Sequence, residues 1–356
     1  MNIKVLVLTR KFRGTTVGFG QDFEEKGCIV KTIVSEVECS RWNIFFRIKN
    51  RLGISNKRYM ERKDRRFAQY IFNVCREFRP DVIYVCHGTQ LRIDTIEKLK
   101  KECLLVADLI DRLDFFPVLY EAVPHYDLVY TYNRPDADFL SEQGINCKYM
   151  PAIGNHRIFM NKKCNKDIDI SFIGATYPEK FYGDRMEIIN RLIDDFPEAK
   201  FFVGGQCAPL RRPEKFFKWV VNRRRRESFN NKDITAAESN AIYNRSKICL
   251  NINRINTGDG WSERLGNIMF TGAFQLVTYS KSIEKELGDC VETFCDYEEL
   301  YNKIKYYLSH DDERISKAEA AYRLYLSKVN EISKEINLVD DVINEAKNRK
   351  KKVQVF

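Results

Sequence analysis

The chain lacks the sequence features of membrane-spanning and secreted proteins. Its 356 residues contain no apolar run that approaches the roughly 20 residues of a membrane-spanning helix. Residues 1–8 form an apolar run that is too short and too β-branched for a signal peptide. Internal repeats and low-complexity segments are also missing. We therefore expect a cytoplasmic protein that does not cross a membrane by itself.

Disulfide and metal signatures are missing as well. The 11 cysteines form no Cys-x-x-Cys pair and are scattered through strand-like runs, which favours buried, reduced thiols. His125, His156 and His310 have no acid or cysteine partners at the spacing of metal ligands. The Asp-x-Asp pairs Asp136/Asp138 and Asp167/Asp169 lie in a helix-like run and at a domain entry, so we interpret both as chance. The sequence predicts no bound metal and no covalent cofactor.

The length and the pattern of the chain predict two α/β domains. With 44% hydrophobic residues, the chain can bury a substantial core and is long enough for two domains of roughly 100–200 residues each. Strand-like and helix-like segments alternate from end to end, which predicts parallel, doubly wound sheets. The predicted strands are 4–8, 29–34, 82–86, 104–109 and 128–131, then 169–174, 200–203, 248–252, 274–278 and 291–294. Helices are predicted at 59–78 and 94–101, among others.

The domain boundary is predicted near residue 160. A polar stretch at 161–167 precedes the point where the strand pattern restarts, so the domains are predicted at 1–160 and 161–325. The charged helical run 313–348 has no strand after it. Its last part, 326–356 with a basic tail, is expected to pack along the outside or to cross back to the first domain.

The segment 242–308 carries the strongest functional signal. A strand is followed by the polar, glycine-containing loop 257–262 and by a helix that ends before Gly272. Free amides at a helix N-terminus and the helix dipole both favour an anion. The loop therefore predicts a phosphorylated ligand, and the candidate contacts at its ends are Asn253, Gly260, Trp261 and Ser262.

Charged residues near this loop could bind phosphate. Arg264 could neutralise a diphosphate, whereas Glu263 in the first turn favours the dipole but repels the ligand. Gly174 ends the first strand of the second domain, where a missing side chain lets backbone amides approach a phosphate. Lys180 and Arg185 follow in the next loop and helix start, within reach of the same phosphates.

His87 is the candidate of the first domain. It follows the strand 82–86 at the carboxyl edge, where open α/β sheets bind ligands. A strand-end histidine bonded to neighbouring backbone is an equal alternative. The loop after the first strand carries Arg10, Lys11 and Gly14 without the Gly-x-Gly-x-x-Gly spacing, so a dinucleotide site is not predicted. A turn that holds a phosphate and an ordinary solvated loop both remain open there.

The net charge of +10 is concentrated in three places. Basic residues surround aromatic ones in 41–66 and in 216–226, and a basic tail covers 347–352. Basic residues interleaved with aromatic rings suit an anionic membrane surface, a polyanion or a solvated helix face. The solvated interpretation is favoured for the tail, and a surface or substrate role for the other two segments.

Several motifs resemble a known family. PDVIYVCHG at 80–88, YDLVYTY at 126–132, DISFIG at 169–174, NRSK at 244–247 and FTGAF at 270–274 fall in the order seen in CgeB-like (spore-maturation-type) glycosyltransferases. DYEEL at 296–300 with IKYYLSH at 304–310 is similar to that family's C-terminal signature. The resemblance covers most of the chain and is strongest in its second half.

The resemblance implies a GT-B fold, with two facing Rossmann-like domains and a nucleotide sugar held mainly by the second. The implied reaction is metal-independent transfer of a sugar, with a UDP-sugar as the expected donor. The acceptor would be a glycan, glycolipid or protein in cell-surface or polysaccharide biosynthesis, reached at the inner membrane face if it is lipid-linked. Nucleic acid is not an expected partner. In related enzymes a histidine in the region of His87 approaches the donor sugar.

Related retaining enzymes carry two glutamates with seven residues between them, and these positions fall on Asp259 and Asn267. Asp259 keeps a carboxylate that is one methylene shorter. Asn267 cannot accept from both ribose hydroxyls as a carboxylate would, and a locally bonded helix residue is an equal interpretation. These two departures weaken the inference of a retaining reaction, which the resemblance still slightly favours over an inverting one. A degenerate homologue that binds a sugar nucleotide or a polyanion is the alternative function, and a GT-B-like epimerase is a third.

Overall fold

The computed structural model describes residues 2–9, 18–34, 57–86, 91–176, 183–205, 222–230, 232–253, 260–288, 291–335 and 337–354. Its contacts divide the chain into two compact units. The first unit contains 1–151 and 336–356, and the second contains 152–335. The first boundary thus lies nine residues before the predicted one, because the segment that follows it is bonded to helices of the second unit.

The first unit contains a parallel sheet of six strands in the order β2-β1-β3-β4-β5-β6. The strands are β1 (Lys4–Thr9), β2 (Ile29–Val34), β3 (Val82–Cys86), β4 (Leu104–Leu109), β5 (Leu128–Thr131) and β6 (Cys147–Tyr149). Every residue of β3, β4 and β5 is buried. Burial on both faces explains their nearly continuous apolar sequences.

Helices cover both faces of this sheet. They are α1 (Gly18–Glu25), α2 (Lys57–Phe78), α3 (Ile93–Leu99), α4 (Pro117–Ala122) and α5 (Arg134–Glu142), with short 3₁₀ helices at Leu113–Phe115 and Val123–His125. Ile71 of α2, Leu99 of α3 and Leu140 of α5 share one core cluster. Phe23 of α1 belongs to the cluster on the opposite face. The sheet therefore forms the middle layer of this unit.

The second unit repeats the architecture with the strand order β12-β11-β10-β7-β8-β9, again all parallel. The strands are β7 (Ile168–Ile173), β8 (Phe201–Gly204), β9 (Phe229–Asn230), β10 (Ser246–Asn251), β11 (Gln275–Thr278) and β12 (Glu292–Phe294). β6 and β9 are absent from the predicted set, because two or three residues at a sheet edge are too short to show a recognisable pattern.

The helices of the second unit lie between and after these strands. They are α6 (Arg185–Asp195), α7 (Arg223–Ser228), α8 (Ala236–Arg245), α9 (Glu263–Phe270), α10 (Lys281–Leu287), α11 (Tyr297–Ser309) and α12 (Asp311–Glu335). Ile189 and Leu192 of α6 and Leu300 of α11 pack against one side of β7 and β10. Leu265 and Met269 of α9 pack with Tyr325 of α12 on the other side.

A last helix, α13 (Leu338–Gln354), belongs to the first unit. Its Val342 and Ile343 are buried with β1, β3, β4 and β5. Lys350 pairs with Asp81 at 2.6 Å, and Arg349 donates to the Lys100 carbonyl. The charged run 313–348 is therefore two helices rather than one. Part of the basic tail pairs with the first unit, which differs from the solvated interpretation.

Neither unit provides a membrane span. No helix within the described ranges is long and apolar enough to cross a bilayer. Eight cysteines lie in these ranges, all with free thiols. Burial raises the pKa of the Cys75 and Cys249 thiols to about 11. Four of the eight are buried, Cys28 and Cys147 are half-buried, and Cys164 and Cys295 are exposed, so the prediction of buried thiols holds for half of these cysteines.

Candidate functional site

The second sheet has a topological switch point between β7 and β10. The chain moves from β7 to β8 and β9 on one side, and it later returns to β10, β11 and β12 on the other. Open α/β sheets bind ligands outside the carboxyl ends of the strands at such a point. Gly174 follows β7 there, and Asn253 lies just beyond β10. Gly174 and Asn253, two residues of the predicted ligand site, thus lie at one edge of the sheet.

Arg185 connects the carboxyl ends of β7 and β10 through hydrogen bonds to the backbone after each strand. It is the first residue of α6, and only 2% of it is exposed. Its guanidinium donates to the Ala175 carbonyl at 2.9 Å and to the Ile252 carbonyl, and it lies 5.8 Å from the centre of the Phe172 ring. Since both hydrogen bonds go to backbone that follows β7 or β10, Arg185 positions the site. This use of its donors differs from the predicted phosphate contact.

Arg264, in the first turn of α9, also lies near the Phe172 ring. Its guanidinium is half-buried and 5.6 Å from the centre of the Phe172 ring. One nitrogen lies 3.5 Å from both the Asn251 side-chain oxygen and the Ile252 carbonyl, the outer limit for a hydrogen bond. A guanidinium at the carboxyl edge of the sheet can donate to an anionic ligand. Of the described candidates, Arg264 is best placed for a diphosphate.

Gly174 makes room for Arg264. A Cβ at Gly174 would lie 2.8 Å from an Arg264 nitrogen and 3.1 Å from the Phe172 ring. The Gly174 amide donates to the Gly204 carbonyl at 2.9 Å. That amide is therefore already bonded, and the value of the glycine is the space that it leaves for the guanidinium rather than a free amide.

Asn253 carries an acceptor that has no partner in the described part of the chain. Its backbone amide donates to the Thr278 hydroxyl at 3.1 Å, which fixes the start of the loop. Its side-chain oxygen is buried and has no hydrogen-bond donor among the described residues. A buried acceptor without a donor is costly, which makes this atom a candidate for a ligand hydroxyl or amide.

The N-terminus of α9 lacks a side-chain cap. Ser262 occupies the N-cap position, but its hydroxyl makes no capping hydrogen bond. Glu263 lies in the first turn next to Arg264, and Gly260 is buried just before the helix. The start of α9 therefore directs its dipole and its first amides toward the same edge as Arg264.

Trp261 is a core residue, which differs from its predicted contact with the ligand. Only 3% of it is exposed, and it packs with Leu265 and Met269. Its indole nitrogen donates to the Ala152 carbonyl at 3.1 Å. The ring therefore anchors the start of the second unit to α9.

Asn267 is also bonded within the protein. It is 8% exposed, and its side-chain oxygen accepts from the Asn155 amide at 2.7 Å. Gly154, at a φ of +82°, brings this backbone so close that a Cβ would lie 2.6 Å from the Asn267 nitrogen. The side-chain oxygen predicted to accept from ribose thus accepts from the chain itself, and its partner is 112 residues away rather than local.

The segment 152–163 is held to the second unit by further side chains that the sequence analysis does not single out. The Tyr325 hydroxyl donates to the Ile153 carbonyl at 2.7 Å. Asn240 accepts from the Met160 amide at 3.1 Å, and Asn244 accepts from the Lys162 amide at 2.7 Å. The i, i+4 spacing of the two asparagines on α8 is the only local signal that could have predicted this role.

Several predicted residues lie outside the described residues. They are His87, Lys180 and Asp259. The loop after β1 and the parts 41–56 and 216–221 of the two basic segments also lie there. Their predicted roles stay predictions.

The arginine run after residue 222 has partners within the second unit. Arg224 donates to the carbonyls of Ile193 and Phe196 at 2.7 Å each, and so caps the end of α6. Arg225 pairs with Asp194 at 2.5 Å. These contacts explain two of the four arginines structurally and weaken the prediction of a polyanion site.

Three of the four aspartates of the Asp-x-Asp pairs are engaged in structural contacts. Asp167 pairs with Arg245, and Asp169 pairs with Lys247 at 2.8 Å. Asp136 accepts from the Leu113 amide at 3.0 Å. Within the described ranges, no group of three or more His, Cys, Asp or Glu side chains could hold a metal ion.

Comparison with known proteins gives a family match for part of the chain. Residues 185–330, which include Arg185, Arg264 and Asn267, match the model of a family described as glycosyl transferase-like. The match covers less than half of the chain. No curated protein sequence matches it.

Solved structures are similar over nearly the whole chain. A sucrose-phosphate synthase from Thermosynechococcus elongatus superposes with a TM-score of 0.69 at 9% identity, covering 100% of both chains. An E. coli trehalose-6-phosphate structure with UDP-2-fluoro glucose bound gives 0.62 at 12% identity, covering 95% of this chain and 98% of the other. Anabaena Alr3699/HepE in complex with UDP gives 0.56 at 11%, covering 99% and 100%.

Identities this low establish the fold alone. Two six-stranded parallel sheets with flanking helices, a C-terminal helix in the first unit and these structural neighbours confirm the predicted two-domain α/β architecture. The chain has the GT-B fold, and its second unit is similar to glycosyl transferase-like proteins.

Proposed function

We propose that this protein is a glycosyltransferase that takes a sugar from a nucleotide-sugar donor. The observation that carries the proposal is the position of Arg264 beside Gly174 at the switch point of the second sheet. This arrangement lies within a fold used by UDP-binding proteins and, for Arg264, within the family match. We assign Arg264 and the space beside Gly174 to the binding site of the nucleotide-sugar donor.

Sugar transfer from a nucleotide sugar is helped by a cation next to the diphosphate. When the sugar leaves its donor, negative charge develops on the nucleoside diphosphate. Arg264 supplies a planar set of donors that matches phosphate oxygens, and the α9 dipole adds to it. Most of the rate would come from positioning and from neutralising the leaving group, without a metal.

The donor is proposed to be a UDP-sugar. Support comes from neighbours with UDP or UDP-2-fluoro glucose bound. The acceptor is proposed to be a glycan, glycolipid or protein in cell-surface or polysaccharide biosynthesis, as the CgeB-like resemblance implies. A retaining reaction remains the favoured one, with Asp259 and His87 as its candidate catalytic residues.

Calorimetry on the full chain tests the donor site. UDP, GDP, CMP and dTDP and their common sugar conjugates are titrated into the wild type, Arg264→Ala and Arg323→Ala. Arg323 is an exposed arginine of α12 with one weak ion pair to Glu319 at 3.9 Å, so its variant is the matched control. We expect UDP-sugar binding in the wild type and the control, and at least about a tenfold loss in Arg264→Ala, since charged hydrogen bonds contribute about 1.5–3 kcal/mol.

A turnover assay separates the remaining functions. Release of UDP that depends on an added acceptor supports transfer, while binding without turnover supports the degenerate sugar-nucleotide module. Conversion of a UDP-sugar to its epimer, followed by NMR, would indicate an epimerase instead, an activity named for neighbours such as one from Listeria monocytogenes. Failure of every nucleotide to bind would overturn the proposal.

A further inference from the structure

One face of α2 presents a line of arginines to solvent. Arg62, Arg65 and Arg66 are exposed, and their spacing places them side by side on the helix surface. In the described part of the chain, none of the three forms an ion pair or a side-chain hydrogen bond. We call these three residues the α2 arginine face.

The lack of partners is unusual for this protein. Most other described arginines with charged neighbours are bonded: Arg225 with Asp194, Arg245 with Asp167, Arg314 with Asp311 and Arg349 with Asp127. Like charges three or four residues apart on a helix repel one another and destabilise it slightly. Three neighbouring arginines that form no ion pair with any described residue are therefore slightly unfavourable for the helix, and a separate role would explain them.

The buried side of α2 fixes the direction of this face. Phe67, Ile71, Val74 and Cys75 pack in the core against the sheet of the first unit. Since these positions are held by packing, the helix has a fixed orientation on the sheet, and the arginines lie on its opposite, solvent-facing side.

We infer that the α2 arginine face docks the protein on an anionic bilayer surface. Basic residues near such a surface are attracted by its negative potential. The inference holds whether or not the chain transfers sugar.

A nucleic acid fits this face less well. Proteins that bind single strands combine cations with aromatic rings on which bases stack. The described exposed positions of α2 are Arg62, Arg65, Arg66, Gln69, Asn73, Arg76 and Glu77, and none of them is aromatic. The charge is thus presented without a stacking platform, which favours a lipid surface.

Vesicle sedimentation with the full-length protein tests the inference. The protein is mixed with vesicles of phosphatidylcholine alone or with added phosphatidylglycerol, at low and high salt. The variant carries Arg62→Gln, Arg65→Gln and Arg66→Gln. The control carries Lys285→Gln, Lys305→Gln and Arg323→Gln, which removes the same charge from exposed helix positions of the second unit.

We expect binding that requires phosphatidylglycerol and weakens with salt. Each cation near the surface strengthens binding roughly fivefold, so the α2 variant should bind about a hundredfold more weakly while the control binds like the wild type. Thermal melts should show no loss of stability in the α2 variant, since its three side chains are exposed and their mutual repulsion is removed. Equal binding of the α2 variant and the wild type, equal loss in the control, or binding of an RNA oligonucleotide without binding of vesicles would each overturn the inference.

Discussion

Arg185 and Arg264 both donate to the carbonyl oxygen of Ile252. They approach it from two helices, and both guanidinium groups lie within 6 Å of the centre of the Phe172 ring, at 5.8 and 5.6 Å. The buried one joins the ends of β7 and β10, and the half-buried one lies at the carboxyl edge of the sheet. The first arginine is therefore a positioning residue for the second, and the proposed donor site depends on both.

Gly174→Ala should weaken donor binding with little loss of stability. The added Cβ would meet Arg264 and the Phe172 ring, and the flexible guanidinium is the group that can move away. Loss of its phosphate contact corresponds to about a tenfold or greater rise in the Kd for the nucleotide sugar. Calorimetry measures it. Gly288→Ala is the matched control, because a Cβ there meets nothing within 4 Å. An unchanged Kd in Gly174→Ala would argue against Arg264 as the diphosphate contact.

Arg185→Lys should lower both stability and nucleotide binding. A lysine keeps the charge but loses the planar fork that reaches the Ala175 and Ile252 carbonyls together. We expect a loss of about 1.5–3 kcal/mol in the free energy of unfolding, measured by urea denaturation. Nucleotide binding by the folded variant should also fall. A variant that loses stability but binds normally would restrict Arg185 to a structural role.

Gly266→Ala should destabilise the second unit strongly. A Cβ at Gly266 would lie 2.1 Å from the Ile153 carbonyl oxygen, which is backbone and cannot turn aside. The expected cost is about 1–3 kcal/mol or more, from overpacking. Tyr325→Phe removes only the hydrogen bond to the same oxygen and should cost about 1 kcal/mol. Urea denaturation compares the two. A smaller effect for Gly266→Ala than for Tyr325→Phe would contradict the close approach.

Arg224→Gln should reduce stability without changing affinity for a polyanion. Its donors cap the carbonyls at the end of α6, so their loss should cost roughly 1–3 kcal/mol. Heparin binding, followed by chromatography at increasing salt, should stay like that of the wild type. Unchanged stability combined with earlier elution would restore the polyanion interpretation of this run.

Asp167→Asn should lower the Tm near neutral pH by an amount that disappears in acid. The Arg245 guanidinium lowers the pKa of the Asp167 carboxyl from 3.8 to about 2. A carboxyl with a lowered pKa stabilises the fold above its unfolded pKa, and that contribution is lost as the pH falls from about 4 toward 2. Melts of the two proteins across this range should therefore converge. Glu198→Gln is the control, because Glu198 is exposed and has no ion pair among the described residues. A Tm difference that stays constant with pH would rule out this linkage.

Local patterns in the sequence predicted most of the sheet. The strands 29–34, 82–86, 104–109 and 128–131 match the observed bounds. For 82–86, 104–109 and 128–131 the reason is that a parallel strand buried on both faces needs a nearly continuous apolar run, which a short window reveals. The helix at 263–270 and the glycine at 174 were equally visible, since loop and helix starts have local signatures.

The roles of individual side chains were decided by the tertiary structure. The hydrogen bond of Arg185 to Ile252 spans 67 residues and that of Trp261 to Ala152 spans 109, so no local window contains both partners. The sequence by itself determined the alternation of strands and helices and the place of the ligand loop, because burial and helix ends leave short-range patterns. Only the packed structure decided that Trp261 and Asn267 form hydrogen bonds to the backbone of Ala152 and Asn155, and that Arg264 lies at the site. Those outcomes depend on which distant segments meet.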